Sequence, residues 1–143
     1  MRLTLKNTDN EYRIIVSNKQ TIDNETDTIE EIAYGSYHEK NGKQYILYKT
    51  DNDGDKISSV IKIDCDEVTI KRNGSINSSM VYRVGEKKSF LYEIPYGKIE
   101  MEIETHRIIS DMNETGGEIE LVYTLTIKGE KYFNDMKITV VKR

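Results

Sequence analysis

The stretch GKIEMEIETH, residues 97–106, decides the fold. Ile99, Met101, Ile103 and Thr105 share one parity; Lys98, Glu100, Glu102, Glu104 and His106 share the other. Successive side chains of an extended strand point to opposite faces, so this spacing gives one dry face and one wet face. A helix would scatter the glutamates around its circumference. GEIELVYTLTIKG, residues 117–129, repeats the pattern with Ile119, Leu121, Tyr123, Leu125 and Ile127 inward. Between the two lies SDMNETGG, a polar, glycine-ended connection suited to a hairpin.

Working outward, the same alternation predicts strands near residues 11–17, 28–38, 44–50, 57–64, 66–72, 76–83, 89–95 and 133–141. Their separators KNGK, DNDGD, RNGS, VGEKK and KGEK carry turn chemistry. In DEVTIKRNGSINSSMVY this reading puts the hairpin turn at Asn73-Gly74. Pro95, the lone proline, cannot donate to a central ladder and marks a corner, with Gly97 freeing the bend. TIDNETDTIEE, residues 21–31, admits either a short helical turn or a polar loop entering a strand. No window shows an apolar stripe at helical spacing. Some ten short strands in one domain over residues 1–143 imply an all-β, antiparallel fold. A sandwich and a barrel both satisfy the pattern, and only a barrel removes the sheet edges.

Composition narrows the function classes. Acidic residues number 25 against 21 basic ones, and the two signs interleave, so no basic patch for nucleic acid is expected. No run approaches the roughly 20 apolar residues of a membrane helix. The N-terminus has no apolar leader, and Cys65 is the only cysteine, so the expected location is cytoplasmic. The ten tyrosines suit half-buried strand positions, where the ring packs and the hydroxyl finds a partner.

Four segments then point to a family. YHEKNGKQYILYK, VTIKRNGSINSSMVY, YEIPYGKIEMEIETHRI and GGEIELVYTL stand in the order and spacing of the YwiB-like family, small bacterial proteins of unknown function, which this chain resembles over residues 12–141. The shared features are a strand ending Arg-x-Gly, the strand with Met80 and Tyr82, and the Tyr-x-x-Pro-Tyr-Gly corner. The resemblance implies a calycin-like (lipocalin-like) β-barrel of eight to ten strands. Ile94 stands where the family more often has Thr, and Tyr34 where an acid commonly precedes the glycine. Both changes suit a strand. The resemblance implies no activity and no cofactor.

The residues themselves offer few catalytic prospects. An EF-hand register that puts Gly54 at its sixth position puts Lys49 first and Val60 last, so TDNDGDK reads as a hairpin turn rather than a calcium loop. His38 and His106 lack metal-ligand spacing, and His106 continues a wet face. Cys65 follows Ile61 and Ile63 in parity and reads as a packed, inert thiol. The glutamate row of residues 100–104 faces solvent beside Lys98. No catalytic residue, metal ligand or cofactor site is expected, and the protein reads as a non-enzyme.

Arg72 is the exception. It falls on the apolar parity of its strand, after Val68 and Ile70. It either snorkels from the barrel mouth, stacks on a tyrosine as a cap, or holds the anionic head of a ligand. Met80, Tyr82, Tyr92, Tyr96, Met101 and Tyr123 share the inward faces and complete the candidate ligand set. The first functional expectation is therefore a barrel that binds a small, partly apolar or anionic ligand in its lumen. The alternative is a packed-core interaction protein meeting its partner through apolar surface positions such as Val81 and Val122.

Overall fold

The structure, a computed structural model, describes residues 11–143. The reading of the first ten residues as lacking an apolar leader lies outside the described residues. Ten strands follow one another: β1 (Tyr12–Ile22), β2 (Glu25–Lys40), β3 (Lys43–Asn52), β4 (Asp55–Asp64), β5 (Glu67–Gly74), β6 (Ser78–Arg83), β7 (Lys87–Ile94), β8 (Gly97–Asn113), β9 (Gly116–Ile127) and β10 (Glu130–Lys142). All pair antiparallel in the order β6-β5-β4-β3-β2-β1-β10-β9-β8-β7. Every strand neighbours its sequence neighbour, and β1 with β10 brings the chain round on itself. This is an up-and-down barrel with ten strands, and no helix occurs among the described residues.

Closure is nearly complete. Between β6 and β7 the ladder reduces to a pair of backbone hydrogen bonds, Asn77 N–H to Glu93 O at 2.9 Å and the reverse at 2.8 Å. At the other end of β6 Gly85 N–H donates to Thr105 O at 3.0 Å, where β8 carries a bulge between Thr105 and Arg107. The bulge resets the parity of β8, so Met112 lies inward as Met101 and Ile103 do.

The core follows from the alternation. Ile14, Ile46, Ile61, Ile70, Ile103, Ile119, Leu121 and Ile138 are all fully buried. They come from seven different strands, so the dry faces of the strands close into one core.

The turns explain where the strand limits differ from expectation. Asp23-Asn24, Asn41-Gly42, Asp53-Gly54 and Lys128-Gly129 each have positive φ at both central residues, the conformation that matches the twist of two-residue hairpins. The first of these replaces the expected helical turn or loop in TIDNETDTIEE, because Asp and Asn tolerate left-handed backbone. The connection SDMNETGG shrinks to Glu114-Thr115, the rest being strand. Gly74 still pairs with Ile57 of β4, so the β5–β6 hairpin turns after Asn73-Gly74 and not on it. Asn77 closes that loop, its amide bonding both N–H and C=O of Gly74 at 3.2 and 3.0 Å.

Two side chains stand where alternation did not put them. Cys65 is exposed, not packed: β4 ends one residue earlier, and Cys65 sits in the turn at φ 55°. Tyr96 is 90% exposed, not inward, because Ile94 pairs with Gly97 and leaves Pro95-Tyr96 as the turn.

Candidate functional site

Register across six strands aligns Tyr12, Gly35, Tyr48, Ser59, Arg72 and Ser78 in one inward row. The adjoining row, Tyr37, Ile46, Ile61, Ile70 and Met80, is apolar but for one phenol. A β-strand delivers such rows automatically, since residues two apart share a face. Ser59 precedes Ile61 by two, Arg72 follows Ile70 by two, and Ser78 precedes Met80 by two. The polar row therefore lies inside the wall, one step from the isoleucines.

Arg72 turns inward. Its Nη1 donates to Met80 Sδ at 3.5 Å, a weak acceptor, and its guanidinium acts on the hydroxyls of Tyr48, Tyr82 and Tyr123. Among the described residues Arg72 does not stack on a tyrosine ring; Arg143 does, 4.5 Å from the Tyr34 ring centre. Among the described residues Arg72 makes no ion pair.

The phenols around it are neutral at ordinary pH. Burial pushes Tyr48 up, with Arg72 and Ser59 pulling it partly back. Tyr82 is driven well above its usual value by burial and then by the neighbouring Tyr123. Tyr123 is also raised by burial. The two rings meet edge-on, centroids 4.9 Å apart, and Tyr82 Oη donates to Met80 Sδ at 3.9 Å. A positive charge thus faces three neutral hydroxyls and a thioether.

A second polar row faces it across the interior. Thr105, Tyr123, Asn134 and Gln20 are successive partners over β8, β9, β10 and β1. Asn134 is fully buried; its Oδ1 accepts from Asn18 at 3.1 Å and Gln20 at 3.0 Å. Four buried side-chain atoms have no hydrogen-bond partner among the described residues, and three belong to these rows or border them: Ser78 Oγ, Thr105 Oγ1 and Asn18 Oδ1. Buried polar groups are normally satisfied, so the interior holds unused hydrogen-bonding capacity beside an unpaired cation.

Of the candidate set, the structure brings together Arg72, Met80, Tyr82 and Tyr123. Tyr92 is half-buried, opposite Ile99 on the β7–β8 pair, and Met101 is buried apart from the main core cluster. Tyr96 does not belong to it. Tyr48, Ser59, Ser78, Asn18, Gln20 and Asn134 were missed. Ser59, Ser78 and Asn134 share parity with apolar neighbours, a polar residue on a dry face being the signal, while Tyr48 carries no such signal, since a tyrosine ring suits a dry face.

A family model described as a domain of unknown function (DUF1934) matches residues 14–140. The chain is 27% identical over 118 residues to the uncharacterized beta-barrel protein YwiB of Bacillus subtilis (strain 168), covering 82% of this chain and 83% of that protein. The crystal structure of the ywiB protein from Bacillus subtilis superposes with a TM-score of 0.83 at 23% identity, over 92% of this chain and 91% of that one.

Proposed function

The chain belongs to the DUF1934 family, and for this barrel of unknown function we propose a non-catalytic, cytoplasmic role in binding a small anionic, partly apolar ligand at Arg72. The observation that carries this reading is the inward Arg72 without an ion-pair partner among the described residues, next to the unbonded hydroxyl of Ser78. An unpaired, partly desolvated guanidinium is costly, and a carboxylate or phosphate would offset that cost with charge-assisted hydrogen bonds. The ligand's anionic end meets Arg72 and Ser78, and its apolar part lies against Met80. The isoleucine rows fill the middle of the barrel, which favours binding at the Arg72 level over a ligand threading the lumen.

The test is thermal unfolding in the presence of acetate, hexanoate, octanoate and inorganic phosphate. At least one should raise the melting temperature of the wild type, as ligands specific to the native state must, and none should affect Arg72→Met. Those same packed isoleucines support the alternative, an interaction protein without a ligand. On that reading Arg72→Met simply changes stability, and anions shift neither protein.

A further inference from the structure

The wall has a second discontinuity, between β2 and β3. Their ladder runs from Lys40↔Lys43 to Gly35↔Tyr48 and stops there. Beyond it β2 continues to Glu25 paired only with β1, and β3 continues to Asn52 paired only with β4. Residues Glu25–Tyr34 therefore present one backbone edge with no strand beside it among the described residues, facing the open edge of Lys49–Asn52. The two edges flank a cleft of about 820 Å³ lined by Ile29, Glu31, Ala33 and Tyr34 on one side and by Thr50 and Asp51 on the other.

Two further features coincide there. Ile29, Ile32 and Tyr34 are among the large apolar residues left exposed, at 69%, 47% and 46%. Residues 25–34 also contain Glu25, Asp27, Glu30 and Glu31 and no base. The whole chain has 25 acids and 21 bases, so setting those four acids aside leaves 21 of each: the net charge of −4 equals the charge of this one edge. Lys49 and Arg143 also border the cleft and offset only part of it.

We propose that this cleft is a strand-addition site for an extended, basic peptide with apolar residues at alternate positions. Open main-chain donors and acceptors supply the ladder, alternation sets which side chains meet Ile32 and Tyr34, and the acidic edge selects lysine and arginine. The proposal does not rest on a ligand at Arg72.

The probe is a fluorescein-labelled decapeptide of alternating lysine and valine, followed by anisotropy with the full chain. It should bind, weaken at least tenfold between 50 and 300 mM salt, and lose at least tenfold when every second peptide nitrogen is methylated. A glutamate–valine counterpart should not bind. Glu30→Lys with Glu31→Lys should lose at least tenfold, both residues lining the cleft. Hydrogen exchange should show those amides between residues 26 and 34 that point away from β1 becoming protected only with peptide present. Equal binding of the methylated peptide would reduce the site to charge adhesion and overturn the proposal. So would protection of that edge without peptide, whether constant, meaning the chain covers itself, or rising with protein concentration, meaning a second copy does.

Discussion

At the scale of single residues, polarity inside a dry face separates sites from core. Arg72 was legible because a charge on an apolar parity stands out; Tyr48 was not, because tyrosine belongs on either side of a wall. Gly35 shows a constraint that alternation never reveals. A Cβ there would lie 1.9 Å from Leu47 O, so the last pair before β2 and β3 part tolerates only glycine. Outside the barrel, Glu120 is buried with Arg107 as its ion partner and Asp135 beside it. Arg107 holds the Glu120 carboxyl below its usual range, whereas burial and then Glu120 raise that of Asp135. An acid whose folded pKa is raised favours the folded state while protonated, and that contribution is lost as pH rises through the raised value. Asp135→Asn, which imitates the protonated form, should therefore stabilise the protein at pH 7. The gain should vanish below the ordinary carboxylate range, as thermal melts at pH 7 and pH 3 will read.

At the scale of elements, turn chemistry sets strand length. Asn-Gly and Asp-Gly hairpins were readable because both central residues accept positive φ. Cys65 was not, since only the completed hairpin shows that Asp64 pairs with Glu67 and forces the cysteine to φ 55°. Lys128 occupies the same left-handed region at φ 49°, before Gly129. A residue with a long side chain holds that backbone at a cost that asparagine largely escapes. Lys128→Asn should raise stability by up to ~1 kcal/mol, seen as a higher denaturant midpoint with an unchanged slope.

At the scale of the whole molecule, the seam is the weak line. β6 meets β7 through two backbone hydrogen bonds, whereas β9 is paired along its length on both sides. Amides of β6 and β7 should exchange before those of central β9 under native conditions; equal protection of the three would contradict a barrel that opens at its seam. The sequence by itself determined the strands, most of their inward residues and the family likeness, because alternation and turn residues are local properties read within a few positions. Tertiary structure alone decided that the sheet closes between β1 and β10 and nearly closes between β6 and β7. It also decided that Arg72 turns inward to Met80 and that Thr105 and Asn134 stand on an opposing inward row. Those outcomes depend on the registers of strands far apart in the chain, and only the closed circuit of strands sets which of their faces look at one another.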